Sequence, residues 1–203
     1  MRPSVLGNPF SWLPNSRAEF TVKNRAEAIA SYKEWLPAQD NPEVKAELKK
    51  IGDLNLRGGC RLICSCVPLP CHGAVIREEV WKKYGFRVAV IGSRDFAGRD
   101  FLFKKLDEAY EKFPHFSKIV SGGAIGADSL GESWANNNKI KTQIFKPDWK
   151  THGKTAGFIR NKLIVQNADV VFAFWVNRSN GTADSLRYAK EIGVPCKVFE
   201  FSA

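Results

Sequence analysis

The chain predicts an α/β protein: a Rossmann-like parallel sheet of about five strands with helices on both faces, preceded by a small α+β domain that contains a cysteine cluster. Three observations carry this. From Phe86 onward, short, mostly apolar runs such as Phe86–Ile91 alternate with segments of helical length, the pattern of strands covered on both faces. Several of these runs end in glycine beside a hydroxyl or amide residue, directly before a helical segment. Before Tyr84-Gly85 the texture is instead irregular and marked by Pro and Cys, which sets the domains at 1–84 and 85–203.

In the second region Phe86–Ile91 reads as the first strand, broken by Gly92-Ser93-Arg94-Asp95, and a helix follows from about Phe96 to Phe113. Ser117–Val120 is the second strand. Ser121-Gly122-Gly123 breaks it, and Ala124–Asp128 opens a helix that runs through Asn136. Lys141–Phe145 is the third strand, followed by a loop over 147–153 and a helix over Lys154–Gln166. Asp169–Trp175 is a strongly apolar fourth strand; Asn180-Gly181-Thr182 starts a helix to about Ile192, and Cys196–Phe201 closes the sheet.

The first region opens on the turn-rich loop Gly7-Asn8-Pro9-Phe10. A helix over Asn24–Trp35 is signalled by Asn24 with Glu27 three residues on, a variant of the capping box. A second helix covers Pro42–Ile51, with proline in its first turn. Arg61–Cys66 is a β-like run, and a helix leads from Cys71-His72-Gly73 to Lys83.

Composition narrows the function classes. The formal charge is +10, but the surplus is dispersed over both regions without a run of five like charges, so nucleic acid is set aside as a partner. No run of eighteen apolar residues indicates a membrane span, and the N-terminus lacks a secretory pattern. Five cysteines, an odd number, suit a reduced cytoplasmic protein. Cys64, Cys66, Cys71 and His72 are candidate zinc ligands, although C-x-C-x4-C-H is not the spacing of ordinary structural zinc sites. A low-pKa thiolate at Cys71, on a helix start beside His72, and plain packing of buried thiols are the alternatives. No cofactor is required by the sequence.

The carboxyl ends of the strands concentrate the chemistry. In parallel sheets ligands collect there, and a glycine turn feeding a helix offers backbone N–H groups and a positive dipole to an anion. The first strand gives Gly92, Ser93 and Arg94; the second gives Ser121, Gly122, Gly123 and Gly126; the fourth gives Ser179, Gly181 and Thr182. Arg94 adds a planar cation suited to phosphate. The loop and helix after the third strand add Trp149, His152, Lys154, Arg160 and Asn161. Together these describe a nucleotide site.

Residues 86–201 resemble the SLOG superfamily, a Rossmann-like group that includes the LOG phosphoribohydrolases, DprA-type proteins and nucleotide-signal sensors. The likeness rests on GSRDF (Gly92–Phe96), SGGAIGAD (Ser121–Asp128), HGKTAGFIRN (His152–Asn161) and SNGTAD (Ser179–Asp184). Residues 4–80 resemble a small domain of bacteria and their phages, through GNPF, Tyr32-x-x-Trp35 and C-x-C-x-P-x-P-C-H-G. The resemblance implies a nucleotide or an ADP-ribose-like derivative bound at the carboxyl edge of the sheet, in a homo-oligomer. It also implies, from LOG hydrolases, that Arg160 stabilises charge during N-glycosidic cleavage. The glutamate those enzymes place three residues after their threonine is absent: Thr182 is followed there by Ser185, and the nearest acid is Asp184, about 100° round a helix. Asp128 is the other carboxylate near the crevice.

The expected function is therefore binding of a nucleotide-derived ligand, for sensing or sequestration, with the first region as a lid or second wall. A phosphoribohydrolase-like activity using Arg160, Asp184 and Asp128 is the alternative, as is a version with Cys66 or Cys71 and His72 as nucleophile and base. A nucleic-acid-binding module is the third.

Overall fold

In a computed structural model, residues 4–14, 16–58, 62 and 71–202 are described. The chain divides into two compact units, Met1–Tyr84 and Gly85–Ala203.

The first unit begins with two short parallel strands, β1 (Phe10–Ser11) and β2 (Phe20–Thr21), whose Phe10 and Phe20 rings stack at 5.0 Å. Asn8 shapes the turn before β1. Its Oδ1 accepts from the Phe10 amide at 2.9 Å and its Nδ2 donates to Ala28 O at 3.2 Å, so the loop is fastened to helix α1 (Arg25–Trp35). The cap of α1 is reciprocal: Asn24 Oδ1 accepts from the Glu27 amide, and Glu27 Oε2 accepts from the Lys23 amide. Helices α2 (Pro42–Gly58) and α3 (His72–Tyr84) complete the unit around Tyr32, Leu36, Leu48 and Val80, with the Tyr32 hydroxyl donating to Leu6 O at 2.5 Å. Helix α2 runs past Ile51, where the sequence reading ended it. Gly52 is there for packing: a Cβ on it would lie 2.5 Å from Cγ of Tyr84, so glycine lets α2 and α3 approach. The expected run over 61–66, and with it Cys64 and Cys66, lies outside the described residues, Leu62 apart.

The second unit holds five parallel strands: β3 (Phe86–Gly92), β4 (Phe116–Ser121), β5 (Thr142–Ile144), β6 (Val170–Val176) and β7 (Cys196–Phe201). Their order across the sheet is β5-β4-β3-β6-β7. Helices α4 (Arg99–Lys112) and α5 (Ala127–Asn137) cover one face, where the Phe101 ring lies edge-on to Phe174, Trp134 packs against Phe116, and Gly131 lies against Val90. Helices α7 (Ala156–Gln166) and α8 (Asn180–Ile192) cover the other, packing Ile164, Val165 and Ala189 on Ala89, Ile91, Val120 and Val171. A single helical turn, α6 (Trp149–His152), lies within the segment read as a loop and is capped by Asp148, whose side chain accepts from the Thr151 amide at 3.0 Å.

Helix α4 starts at Arg99, later than the sequence reading. The segment before it is a turn, with the Phe96 amide on Ser93 O at 3.2 Å, that drives the Phe96 ring into the core 5.1 Å from Phe174 and from Phe201. At the amino end of the sheet Arg87 and Asp169 form a buried ion pair, Nη2 to Oδ1 at 2.9 Å and Nε to Oδ2 at 3.2 Å, with the Arg87 amide also on Oδ2 at 2.7 Å. This pins β3 to the start of β6, at the opposite end from the crevice described below.

Candidate functional site

In this strand order β3 and β6 are neighbours from which the chain builds outward in opposite directions, so their following loops diverge and leave a crevice. A cavity of about 430 Å³ occupies it. Its walls are the end of β3 (Ile91–Asp95), the α5 approach (Ala124, Asp128), Trp149, the start of α7 and the start of α8.

A chain of hydroxyls ties the two strand ends together. Ser93 Oγ donates to Val176 O and accepts from the Val176 amide, both at 2.9 Å, and lies 2.7 Å from Ser179 Oγ, which is 3.0 Å from Thr182 Oγ1. Ser93 and Thr182 are buried, so these hydroxyls position the loops around the cavity.

Helix α8 begins at the cavity with no side-chain cap: Ser179 occupies the N-cap position but makes no capping bond. Its first amides have no intrahelical partner, and the positive end of the helix dipole faces the space beside Gly181 and Thr182. Nothing lies within 4 Å of where a Cβ on Gly181 would stand. Arg94 and Lys154, both exposed, line the same cavity.

The glycine turn after β4 behaves differently from the sequence expectation. Its amides were read as open to an external anion, but Asp128 occupies them. Its Oδ2 accepts from the Gly122 amide at 2.9 Å and faces the Ala124 amide at 3.5 Å. Glycine is needed at two points here. A Cβ on Gly122 would overlap the Arg160 guanidinium. Gly126 has φ +83°, and a Cβ there would lie 2.5 Å from both Ser93 O and Arg94 O, so it lets the β3 and β4 loops touch. Ser121 Oγ is likewise committed, donating to Glu132.

Asp128 is buried, and burial pushes its carboxyl up from 3.8 to about 6, against the Gly122 amide, Arg160 and the Ala124 amide, which favour the ionised form; Glu132 adds to the rise. Arg160 Nη1 lies 3.7 Å from Asp128 Oδ2, and Arg160 Nε is buried with no hydrogen-bond partner among the described residues. Burial lowers the affinity of the Arg160 guanidinium for its proton; Asp128 opposes this, and the like charge of Arg94 adds to it.

Of the residues singled out from sequence, Gly92, Ser93, Arg94, Asp128, Trp149, Lys154, Arg160, Asn161, Ser179, Gly181 and Thr182 line the cavity. Ser121, Gly122, Gly123 and Gly126 shape the turn behind it, and His152 is exposed outside the lining. Asp184 lies outside the lining too: Oδ1 accepts from Arg187 Nη2 at 2.8 Å and Oδ2 from Asn161 Nδ2 at 3.3 Å. It holds α7 to α8, and Asn161 Nδ2 reinforces the joint by donating to Gly181 O at 3.2 Å. Phe158, Gly157 and Ser185 line the cavity without having been singled out. For Phe158 the signal was its position in the first turns of the helix after Lys154.

In the first unit Cys71 caps α3, its Sγ accepting from the Gly73 amide at 3.2 Å, and lies 3.9 Å from His72 Nδ1. Burial lowers the His72 pKa, and its ring stands edge-on to Tyr32 at 5.9 Å. Among the described residues no cluster of His, Cys, Asp or Glu could hold a metal ion; Cys64 and Cys66 are not among them. No described helix is long and apolar enough to cross a membrane.

Comparison with known proteins places this geometry. A family model described as the YspA, cpYpsA-related SLOG family matches residues 86–152, and one for a domain of unknown function (DUF4326) matches residues 1–82. The Gene 61 protein of Mycobacterium phage D29 is 34% identical over 115 residues, which span 54% of this chain and 92% of that protein. Two solved structures are similar in fold. DNA processing protein A from Helicobacter pylori, described by its single-stranded DNA binding mode, is 23% identical with a TM-score of 0.45, over 56% of this chain and 64% of that one. DNA processing protein A from Streptococcus pneumoniae is 15% identical with a TM-score of 0.37, over 83% of each chain. The expectation that set nucleic acid aside is corrected: the Helicobacter pylori protein is described by single-stranded DNA binding, and dispersed charge is no ground for excluding a strand, which is held by a local path of cations and rings rather than by a charged run.

Proposed function

We propose that this chain, which belongs to the YspA, cpYpsA-related SLOG family and carries a DUF4326 domain before it, binds the phosphate of a nucleotide or nucleotide-derived ligand in the crevice beyond β3 and β6, as a sensor or sequestering protein. The observation that carries this reading is positive character gathered around one cavity, on whose lining Asp95 is the exposed carboxylate. The uncapped start of α8, Arg94, Lys154 and the partly paired Arg160 border it, and Asp128 is turned back onto its own backbone loop. A phosphate would accept from the α8 amides and relieve the repulsion between Arg94 and Arg160. A reduced cytoplasmic setting belongs to the same reading.

Two observations support further readings of the same crevice. Asp128 is a carboxyl with proton affinity near neutrality on the cavity wall beside Arg160, a combination suited to general acid–base work in N-glycosidic cleavage of such a ligand. Lys146, Lys150 and Lys154 are exposed, make no salt bridge among the described residues, and lie in the same segment as the exposed Trp149, which lines the cavity with Lys154, a composition suited to a single-stranded nucleic acid.

Mass spectrometry of small molecules released from the purified full chain, with a thermal-shift screen of nucleoside phosphates, NAD, ADP-ribose and a thymidine oligonucleotide, tests these readings. An intact nucleotide that also raises the melting temperature supports binding, and release of free base supports hydrolysis. A shift with the oligonucleotide alone supports the strand reading. No shift with any of them overturns all three.

A further inference from the structure

We infer that Trp149 and Phe158 form an aromatic platform that holds the base of the ligand at the mouth of the crevice, while the phosphate lies at α8; this deepens the binding reading above and rests on it. Both rings line the cavity, and both are large apolar groups left half in water, Trp149 at 54% and Phe158 at 51% exposure. Among the described residues neither ring stacks on another aromatic side chain, in contrast to the phenylalanines packed around β6 and β7. Their placement is fixed by rigid elements. Trp149 begins the capped turn α6, and its indole tip lies beside Gly157, where a Cβ would stand 3.5 Å from Cη2. Phe158 follows Gly157 directly, in the first turn of α7. The two rings therefore belong to one stretch of the lining around Gly157, in a cavity they share with Lys154, Arg160 and the start of α8. A planar, weakly polar group attached to a phosphate has both ends matched: π-faces for the base, and the α8 amides and guanidinium groups for the phosphate. Stacking tolerates any base because every base has a π-face, so the platform selects for a base being present more than for which base it is. Neither ring is needed to fill the core, whose large buried side chains lie elsewhere.

The test is isothermal titration of the full chain with AMP, GMP, UMP and CMP, with ribose 5-phosphate, and with a thymidine oligonucleotide beside its abasic counterpart. Trp149→Ala and Phe158→Ala are expected to weaken binding of the nucleoside monophosphates about 5- to 100-fold each. They should leave ribose 5-phosphate within about twofold, and Trp149→Phe, which keeps a ring, should retain most of the affinity. If the base comes from a strand, the oligonucleotide shows this loss against its abasic form and the monophosphates do not bind. Ribose 5-phosphate binding as tightly as AMP, or equal losses for both in Trp149→Ala, overturns the platform while leaving the phosphate site standing. Binding by none of these compounds overturns the phosphate site and the platform together.

Discussion

Replacing Asp128 with asparagine separates the two forces that act on the glycine turn. Wild-type Asp128 is buried, and the folded chain holds its proton up to about pH 6, whereas the unfolded chain releases it near 3.8. Below pH 3.8 both states are protonated and the full stability is present. As pH rises through about 6 the unfolded state gains more from ionisation than the folded state, and stability is lost. At about 1.4 kcal/mol for each tenfold change in proton affinity the limiting loss is about 3 kcal/mol, most of it between pH 4 and 7. Asparagine keeps an acceptor for the Gly122 amide and does not titrate; the pull of Arg160 on the ionised carboxylate is already contained in the rise to about 6. The stability difference, wild type minus Asp128→Asn, measured by chemical denaturation from pH 4 to 7.5, should therefore fall by about 2–3 kcal/mol and level off above pH 7. Taking the difference cancels every titrating group that does not interact with Asp128. A flat difference would refute the burial argument. A difference that grows with pH would mean that Arg160 and the amides outweigh desolvation and that the carboxyl is depressed instead.

Further consequences follow from the same contacts. Arg87→Met leaves Asp169 buried without its bidentate partner and should cost about 3–5 kcal/mol by denaturant titration, with the Arg87→Met/Asp169→Leu double variant recovering much of it. Gly126→Ala forces a Cβ onto Ser93 O and Arg94 O at a φ of +83° and should lose more than about 2 kcal/mol, read from the same titration. Arg94→Ala removes an exposed cation and should leave the melting temperature within a degree or two while weakening binding of ADP-ribose or AMP roughly 10- to 100-fold by calorimetry.

The strand–helix alternation of residues 86–201 was legible because parallel strands covered on both faces are apolar over most of their length, and Val88–Ile91 and Val170–Val176 are. The crevice was legible through its turns: Gly92-Ser93 and Ser179–Thr182 do meet there. What sequence could not convey was the occupancy of the turn after β4. A run of amides waiting for an anion looks the same whether the anion is a ligand or Asp128, six residues on. Asp184 illustrates a related limit. Its side chain is aimed by the helical phase of α8 towards Asn161 and Arg187, and that phase depends on where the helix begins. Arg87 and Asp169 stand 82 residues apart, and nothing local in either strand announces their pairing. Phe158 read as an ordinary helical residue because its exposure is set by tertiary packing of α7.

If the open start of α8 receives the ligand's phosphate, Gly181→Asp should block it. The site has room for the side chain, and a carboxylate in the first turn of α8 complements the helix dipole while filling the position a phosphate would take. Titrating wild type and variant with nucleoside monophosphates and ADP-ribose by calorimetry should show binding to wild type, at least tenfold weaker binding to Gly181→Asp, and a melting temperature for the variant equal to or above that of wild type. Equal affinities in the two proteins, or a wild-type chain that binds none of these compounds, would contradict the account.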